Sequence, residues 1–277
     1  MTTRRFYKMS GSGNDFVVFD AREQSAEALE DAVVIQALCA RGTGVGADGV
    51  VFLEPPKGKE ADFRMSYFNS DGSAADLCGN AALCVTRLAV DLGAGQREGM
   101  RFETRSGVLS ARMVGAQPEV DMPSVTQVDP DAAIALSEGE HRIGFALAGV
   151  PHLVVLRDDV QGLDVVTRGR ELRRHAAVKP RGANVNFVAK NASKEAAGQW
   201  LIRTYERGVE GETLACGTGT IASAILLGAW GESGLESTFA TRSGREITVI
   251  LRRDGDAWKP TLRGDGRLVF TGELGDR

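Results

Sequence analysis

The chain has 277 residues, enough for one large domain or two modest ones, and its 43% hydrophobic and 25% charged residues are typical of a soluble globular protein. A net charge of −4 gives no electrostatic reason to expect nucleic acid or an anionic membrane as a partner. No apolar run approaches the roughly 20 residues that span a bilayer, and the N-terminal stretch MTTRRFYKMSGSG lacks the apolar segment of a secretory signal. These observations predict a cytoplasmic protein without nucleic-acid or membrane partners.

The first half of the chain reads as short strands with two helices. Runs rich in Val, Phe, Ile and Tyr predict strands at DFVVFDA, GVVFLE and DFRMSYF. A helix is predicted over 26–40, with apolar residues every four positions at Leu29, Val33 and Ala37. A second helix is predicted after Cys78, with an apolar stripe at Ala81, Cys84, Val85 and Leu88.

The segment GVGADG at 44–49 matches the letters of a GxGxxG dinucleotide fingerprint. That fingerprint requires a strand before it and a helix after it, whereas here a helix precedes it and the strand VVFLE follows. We therefore reject a Rossmann domain and expect a tight turn or a close backbone approach to a ligand.

The second half repeats this mixture of strands and a helix. Strands are predicted at RIGFALAG, HLVVLR, NVNFVAK, LIRTYE and REITVILRR. A last strand-like stretch, GRLVFTGEL, is expected to return to the N-terminal domain. A helix is predicted after Cys216, with an apolar stripe at Ile221, Ala224, Ile225 and Gly228.

Four short matches indicate that the two halves are copies of one unit. ETRSGV matches ATRSGR, and LCGNA around Cys78 matches ACGTG around Cys216. GNDFVVF matches GVPHLVV, and GADGVVF matches GANVNFV. All four pairs occur in the same order and are 136 to 138 positions apart, which indicates an internal duplication.

The duplication predicts the architecture. Because regular alternation of strands and helices is absent, we expect an α+β fold of two pseudo-symmetric domains. Each domain is predicted to be a mostly antiparallel β-sheet or barrel around a central helix, with the active site in the cleft between them. The N-terminal lobe is predicted at 1–120, completed by 265–277, and the C-terminal lobe at 121–264.

The four cysteines are too sparse for a disulfide scaffold. No CxxC pair occurs, and the three histidines (His141, His152 and His175) make no ligand cluster with them, so we expect no metal site. Cys39 and Cys84 are interpreted as small buried hydrophobes, since Cys84 lies within the apolar stripe of its helix.

Cys78 and Cys216 each stand directly before a predicted helix and are followed by glycine. The unpaired N–H groups and positive dipole end of a helix N-terminus lower the pKa of a thiol and bind a carboxylate. If the two lobes face one another, one thiolate can remove the α-proton of an amino acid while the other thiol protonates the opposite face. The pattern predicts stereoinversion by two bases; a redox sensor with a reversible disulfide is the alternative from another class.

The motifs around these residues resemble the diaminopimelate epimerase family over essentially the whole chain. They are KMSGSGNDFVVFD, FNSDGSAADLCGN, GVPH, GANVNF and ERGVEGETLACGTGT. The resemblance implies a PLP-independent enzyme that interconverts LL- and meso-diaminopimelate for lysine and peptidoglycan precursor synthesis, with no cofactor and as a homodimer. No lysine stands in a recognisable Schiff-base context, which agrees with a reaction that needs no cofactor.

The resemblance also implies roles for individual residues. Cys78 is the proton donor and Cys216 the acceptor in one direction, with the roles exchanged in the other. The reacting carboxylate is held by the backbone N–H groups of Gly79, Asn80, Gly217 and Thr218. Arg207 is suited to the distal carboxylate as a bidentate donor and Glu206 to the distal ammonium, within a substrate-binding set of Asn14, Asn69, Asn184, Glu206 and Arg207. His152 and Glu206 are implied to modulate the ionisation of the cysteines.

Structural alternatives stay open for several of these residues. Asn14 and Asn69 could serve turns, His152 could be a hydrogen-bonded core histidine, and the pair Glu206–Arg207 could be an exposed ion pair.

Two departures from the family pattern concern the far end of the substrate. Val150 replaces a common Asn, and the loop ERGVEGET is one residue longer than the common ERGAGET form. A PLP-independent racemase of another amino acid, such as histidine or proline, is therefore the alternative within the same fold. An isomerase of related fold that moves a proton beside a carboxylate is disfavoured, since such relatives need not keep both cysteines.

Overall fold

The computed structural model describes residues 4–193 and 198–275. The backbone contacts divide the chain into two compact units: unit 1 comprises Met1–Asp121 with Gly264–Arg277, and unit 2 comprises Met122–Arg263. No helix in the described part of the chain is long and apolar enough to cross a membrane. That the two units act as the predicted epimerase lobes stays a prediction.

Unit 1 contains nine strands and two α-helices among its described residues. The strands are β1 (Arg4–Gly11), β2 (Asn14–Asp20), β3 (Gly49–Glu54), β4 (Phe63–Asn69), β5 (Ala74–Ala75), β6 (Met100–Thr104), β7 (Gly107–Val114), β8 (Gln117–Asp121) and, at the end of the chain, β18 (Arg267–Leu274). The helices are α1 (Ala32–Cys39) and α2 (Gly79–Asp91), with a short 3₁₀ turn at Glu27–Leu29.

Unit 2 contains the remaining strands and two further α-helices. The strands are β9 (Val128–Asp129), β10 (Glu140–Ala148), β11 (Val150–Arg157), β12 (Asn184–Lys190), β13 (Trp200–Glu206), β14 (Gly211–Thr213), β15 (Glu236–Ala240), β16 (Glu246–Asp254) and β17 (Ala257–Gly264). The helices are α3 (Val165–Arg173) and α4 (Gly217–Ala229), with a 3₁₀ turn at Ala176–Val178.

The same order of strand pairings occurs in both units. In unit 1, β1–β2 is antiparallel, β2–β3 parallel, β3–β4 antiparallel, β4–β6 parallel and β6–β7 antiparallel. In unit 2, β10–β11 is antiparallel, β11–β12 parallel, β12–β13 antiparallel, β13–β15 parallel and β15–β16 antiparallel. The internal matches in the sequence are therefore matches between equivalent structural elements.

One apolar helix lies at the centre of each unit. Helix α2 packs against strands β1, β2, β7, β8 and β18, and α4 packs against β10, β11, β12, β15 and β16. The predicted stripes face these sheets, since both Cys84 and Ile225 are fully buried. Burying one stripe of a helix on a sheet removes a large apolar area from water, which fixes the face that each helix turns toward the sheet.

The predicted strand segments coincide with strands of the structure, and GRLVFTGEL forms β18, which pairs antiparallel with β1. Three consecutive apolar residues of β18 are exposed: Leu268, Val269 and Phe270 are 45%, 53% and 47% exposed. The segment 44–49 follows α1 and precedes β3, and Lys8 donates a hydrogen bond to the carbonyl of Gly46. The helix-before-strand order that excluded a Rossmann domain is confirmed.

The helix predicted over 26–40 is wrong in its length and in its buried face. Helix α1 begins only after Asp31, whose carboxylate accepts a hydrogen bond from the N–H of Val33 as an N-cap. Val33 is 71% exposed, whereas Ile35 and Leu38 are buried. Because the cap sets the start of the helix, the buried face follows Ile35 and Leu38 and not the four-residue spacing from Leu29.

Candidate active site

The first half-site, called here the Cys216 half-site, is built at the N-terminus of α4. Cys216 is the N-cap residue, with an extended backbone (φ −139°, ψ 109°), and its Sγ accepts a hydrogen bond from Gly219 N at 3.4 Å. The helical ladder starts when Thr220 N donates to the Cys216 carbonyl. The N–H groups of Gly217 and Thr218 precede that ladder, and their predicted contact with a carboxylate stays a prediction.

The second, called the Cys78 half-site, has the same backbone at the N-terminus of α2. Cys78 is an extended N-cap (φ −126°, ψ 119°), and Ala82 N donates to its carbonyl at 2.9 Å. Its thiol makes no capping hydrogen bond to α2, and Cys78 is half-buried whereas Cys216 is buried. The N–H groups of Gly79 and Asn80 occupy the positions that Gly217 and Thr218 hold in the other copy.

The predicted lowering of the thiol pKa is wrong for Cys216. Burial raises the pKa of Cys216 well above its usual value, and the negative charge of Glu206 raises it further. Hydrogen bonds from Thr218 and from Gly219 N oppose this rise and are outweighed. The prediction counted the helix terminus alone, whereas the thiol is also removed from water and lies beside a carboxylate. Burial and the charge of Glu206 therefore favour the protonated form of Cys216.

His152 lies on β11 and is fully buried. Its Nε2 is 3.1 Å from the hydroxyl of Thr218, and its Nδ1 is 3.2 Å from the amide nitrogen of Asn186. Burial lowers the pKa of His152 to about 3, with a further contribution from the positive charge of Arg207. The imidazole is thus both a hydrogen-bonded core group and a neutral neighbour of Thr218, which lies 3.6 Å from the Cys216 sulfur.

Asn184 and Arg207 meet on the same side of unit 2. Asn184 stands opposite His152 in the parallel pairing of β11 with β12, and its side-chain oxygen accepts a hydrogen bond from Arg207 N at 2.8 Å. Arg207 and Glu206 are both half-buried, and Glu206 raises the pKa of Cys216. Because both residues are half-buried and Glu206 lies near the Cys216 thiol, they are not simply an exposed ion pair.

The long loop between β13 and β14 is closed by Glu210. Its backbone is left-handed (φ 55°), and its N–H donates to the carbonyl of Glu206 at 2.8 Å. Its carboxylate accepts a hydrogen bond from the Tyr205 hydroxyl at 3.2 Å and pairs with Arg173 at 3.0 Å. The loop that carries Arg207 is therefore anchored to α3 by an ion pair.

In the Cys78 half-site, Asn14 joins two polar neighbours. Its amide nitrogen donates to Asp48 at 2.9 Å, and its oxygen accepts from the amide of Asn80 at 2.7 Å. The left-handed positions of this turn are Ser12 (φ 53°) and Gly13 (φ 120°), whereas Asn14 begins β2. Asn14 is therefore linked to the helix start and does not fill the left-handed turn position.

A cluster of charges supports that link. Arg41 pairs with Asp15 at 2.6 Å and with Asp48 at 2.8 Å, and Lys8 pairs with Asp15 at 2.6 Å. Although burial raises the pKa of Asp15, hydrogen bonds from Arg41 and Lys8 bring it below its usual range. Asp15 and Asp48, which lie behind Asn14, are thus held by salt bridges to Lys8 and Arg41.

Asn69 serves the turn that follows β4. Its N–H donates to the carbonyl of Ser73, and its amide nitrogen donates to the Ser73 hydroxyl at 3.0 Å. In this structure the contacts of Asn69 are therefore those of a turn residue. Its contact with a substrate stays a prediction.

The sequence reasoning missed three side chains of the Cys216 half-site: Asn186, Thr204 and the hydroxyl of Thr218. Strand alternation could have found Asn186, because it lies two residues after Asn184 and so faces the same side. Thr204 stands opposite Asn186 in the pairing of β12 with β13. Thr218 had been assigned only through its backbone N–H.

Two other features bear on alternative chemistry. All four cysteines lie in the described ranges and are present as thiols without a disulfide. Burial raises the pKa of Cys39 to about 11 and that of Cys84 well above its usual value, as expected for cysteines that serve as core hydrophobes. Among the described residues, no group of three His, Cys, Asp or Glu side chains could hold a metal ion.

Comparison with known proteins relates the whole chain to one family. The family model described as diaminopimelate epimerase matches residues 6–128 and 145–259. A relative from Gemmatimonas aurantiaca, named diaminopimelate epimerase, is 48% identical over 278 aligned positions, which cover 97% of this chain and 98% of that protein.

Solved structures share the fold at low sequence identity. A Bacillus anthracis phenazine biosynthesis protein of the PhzF family has a TM-score of 0.77 at 16% identity, and the match covers 100% of both chains. A hydroxyproline epimerase from Agrobacterium vitis has a TM-score of 0.69 at 21% identity, covering 98% of this chain and 92% of that one. The predicted two-domain α+β fold is confirmed. With the family model and the 48% identical relative spanning both copies of the duplicated unit, this chain belongs to the diaminopimelate epimerase family.

Proposed function

We propose that this chain is an isomerase that inverts one α-carbon of LL-diaminopimelate to give meso-diaminopimelate, for lysine and peptidoglycan precursor synthesis. The observation that carries the proposal is the duplicated Cys-Gly at the start of a buried helix, in a chain whose full-length relatives are named for this reaction. The reaction requires two proton-transfer groups and one anion site. The two sulfurs are candidates for the proton-transfer groups, and the helix N-termini are candidates for the anion site.

The reacting carboxylate would lie between the two helix N-termini. The N–H groups of Gly79, Asn80, Gly217 and Thr218 supply donors that gain strength as negative charge develops on the carboxylate. Removing an α-proton moves an electron pair onto the carbon and the carboxylate, so donors at that position stabilise the transition state more than the ground state. The proposal requires the two half-sites to meet around one substrate.

The proton transfers would be shared by the two sulfurs. In one direction the Cys216 thiolate takes the α-proton, the carbon–hydrogen bond breaks, and the Cys78 thiol donates its proton to the opposite face. Each turnover therefore exchanges which sulfur carries the proton, and the reverse reaction starts from the exchanged state. The raised pKa of Cys216 favours the form in which Cys216 is the donor when the site is empty.

The remaining assigned residues would recognise the rest of the substrate. Arg207 is suited to the distal carboxylate, because its guanidinium offers two parallel donors, and Glu206 is suited to the distal ammonium. Asn14, Asn69 and Asn184 would complete the polar contacts. Val150 is half-buried at the start of β11, two residues before His152, and contributes an apolar side chain there.

A screen of deuterium uptake tests the substrate assignment. The reduced enzyme is incubated in D₂O with diaminopimelate and, separately, with histidine, proline and other amino acids, without added cofactor. We expect uptake at the α-carbon of diaminopimelate, because only that substrate presents a second amino-acid head group to Glu206 and Arg207. Label in another amino acid and none in diaminopimelate would favour the racemase alternative and overturn this assignment.

The redox-sensor alternative and the assembly state have their own tests. Ser in place of Cys78 or Cys216 should abolish turnover under full reduction, whereas a sensor would show no turnover in the wild type. We also propose a cytoplasmic homodimer; the exposed apolar residues of β18 support a subunit contact, and sedimentation measures it. A monomer with full activity would contradict the dimer proposal.

A further inference from the structure

We propose that Asn186 is a positioning residue, which fixes the tautomer of His152 so that the Thr218 hydroxyl donates its proton to the Cys216 sulfur. The geometry lies wholly within unit 2 and is independent of where the substrate binds. Its catalytic meaning rests on the proposed function, because Cys216 is the sulfur whose ionisation it would tune.

The orientation of the Asn186 amide is fixed at both ends. Its nitrogen donates to the carbonyl of Leu153 at 3.0 Å, and its oxygen accepts from the Thr204 hydroxyl at 3.0 Å. Exchanging the nitrogen and oxygen would place two acceptors against each other at Leu153, so one assignment satisfies both contacts. The second N–H of the amide is then directed to Nδ1 of His152, 3.2 Å away.

The amide contact decides which ring nitrogen carries the proton. Nδ1 of His152 must accept from Asn186, so a neutral ring holds its proton on Nε2. The ring is neutral because it is fully buried, and the positive charge of Arg207 disfavours a second proton further. Nε2–H therefore donates to the Thr218 oxygen at 3.1 Å, which leaves the single Thr218 proton for the Cys216 sulfur at 3.6 Å.

Gly219 makes room for this arrangement. A Cβ on Gly219 would lie 2.2 Å from the side-chain oxygen of Asn186, so any larger residue would displace the amide. The second glycine of CGTG is therefore required by Asn186, whereas the sequence alone had associated these glycines with the approach of a carboxylate.

The duplicated unit offers an internal comparison. His152 stands opposite Asn184 in the pairing of β11 with β12, and Phe16 stands opposite Gly49 in the equivalent pairing of β2 with β3. His152 therefore corresponds to Phe16, and Asn186, two residues after Asn184, corresponds to Val51. Both Phe16 and Val51 are fully buried. Ala81 occupies the place of Gly219, three residues after its cysteine. The fold of the unit is thus compatible with apolar residues at these positions and does not by itself require the polar network of unit 2.

The network opposes the two effects that keep Cys216 protonated. Burial and the charge of Glu206 disfavour the thiolate, while a hydroxyl donor aimed at the sulfur stabilises it. Hydrogen bonds to a charged acceptor are stronger than those to a neutral one. The donor therefore stabilises the Cys216 thiolate at the moment when that sulfur must take the proton.

Two NMR readouts test the proposal without substrate. With only three histidines in the chain, ¹⁵N-labelled His152 can be assigned, and its ring shifts report which nitrogen is protonated. We expect the Nε2–H tautomer in the wild type and a change to Nδ1–H in Asn186→Asp, where an acceptor replaces the donor at nearly constant volume. ¹³Cβ-labelled cysteine reports the pKa of Cys216 directly, and four cysteines are few enough to assign by substitution.

Thr218→Val removes the last donor and leaves the backbone N–H in place. The pKa of Cys216 is expected to rise by about 1 to 2 units, as for the loss of a hydrogen bond to a charged group. The value of kcat/KM falls by about 10- to 100-fold, with the alkaline limb of the pH profile shifted upward, and Thr218→Ser restores both. Thr220→Val is the matched control: its hydroxyl bonds the Cys216 carbonyl, and its loss should leave the sulfur titration unchanged.

An Nδ1–H tautomer in the wild type overturns the proposal, whichever substrate the enzyme takes. An unchanged Cys216 titration in both Asn186→Asp and Thr218→Val also overturns it. A wild type that labels no amino acid in D₂O contradicts the proposed function instead, because neither NMR readout requires turnover.

Discussion

The two half-sites share a backbone and differ in the side chains that are linked to the helix start. Cys78 and Cys216 are both extended N-caps of a 13-residue helix, and each helix begins with a glycine. Behind Cys78, Asn14 is bonded to Asp48 within a cluster of salt bridges. Behind Cys216, a fully buried neutral histidine and an amide lead to Thr218.

The comparison separates two requirements of the reaction. One is a site that binds the carboxylate, and the other is a suitable proton affinity at each sulfur. The shared helix N-terminus meets the requirement for an anion site, since that function depends on backbone N–H groups and tolerates different neighbours. The surroundings of Cys216 tune its proton affinity, which depends on burial and on charge within a few ångströms. An epimerisation needs one protonated and one unprotonated sulfur in each direction, and unequal proton affinities decide which sulfur carries the proton when the site is empty.

The largest effect is expected from removing either sulfur. Cys78→Ala and Cys216→Ala should each lower kcat by about 100- to 10,000-fold, the range for loss of a positioned acid or base. Cys39→Ala is the control, since Cys39 is a buried core residue outside both half-sites. Near-normal turnover in Cys78→Ala or Cys216→Ala would show that one sulfur is sufficient. It would contradict the claim that both copies take part in proton transfer.

A smaller loss is expected on the substrate side of the Cys216 half-site. Arg207→Lys keeps the charge and removes the bidentate geometry, so kcat/KM for diaminopimelate should fall by about 10- to 100-fold, mainly through KM. Steady-state kinetics measure this, with the exposed Arg142→Lys as control. An unchanged KM would mean that Arg207 does not bind the distal carboxylate.

The charged cluster behind Cys78 should have a more modest role. Asp48→Ala removes the acceptor of both the Asn14 amide and the Asp15 N–H, and kcat/KM should fall by about tenfold. Asp91→Ala, which breaks an exposed pair with Arg87 on the surface of α2, is the matched control. Equal effects of the two substitutions would show that the cluster stabilises the fold without supporting Asn14.

A further prediction concerns stability and not activity, and its sign is fixed by the lowered pKa of His152. Between pH 6.5 and about 3 the unfolded chain binds a proton that the folded chain excludes. The stabilisation is therefore complete above pH 6.5 and is lost as the pH falls, by up to about 1.4 kcal/mol per pH unit.

Chemical denaturation from pH 7 to 5 measures this slope, which His152→Gln should reduce. His141→Gln, at an exposed position paired with Asp158, is the control. A slope that is the same in wild type and His152→Gln would contradict a neutral buried His152.

The backbone of both half-sites could be predicted from the sequence, because it depends on local signals. Cys-Gly before an apolar stripe is sufficient to place Cys78 and Cys216 at helix starts, and the repeated matches relate the two copies. The stripe from Leu29 failed because Asp31 caps the helix later than the spacing indicated. Helix α3 carried no apolar stripe that the sequence reasoning detected, since Arg and Glu supply most of its surface.

The electrostatics of the sulfurs could not be predicted in the same way. The pKa of Cys216 rises because water is excluded from the thiol and because Glu206, ten residues earlier, is brought beside it, and both follow from tertiary packing. The pairing of Asn186 with His152 joins positions 34 residues apart. Strand alternation from Asn184 could have placed Asn186 on the right face, but only the structure identifies its partners.

The direct test of two sulfurs acting on one carbon is the distribution of deuterium early in the reaction. LL-diaminopimelate is converted in D₂O to about a tenth of its equilibrium yield, and product and recovered substrate are analysed by mass spectrometry. Two opposed thiols predict one deuterium in the meso product and almost none in the recovered LL substrate. Equal labelling of both, or product that keeps its original hydrogen, would show that a single base returns the proton and would contradict the account.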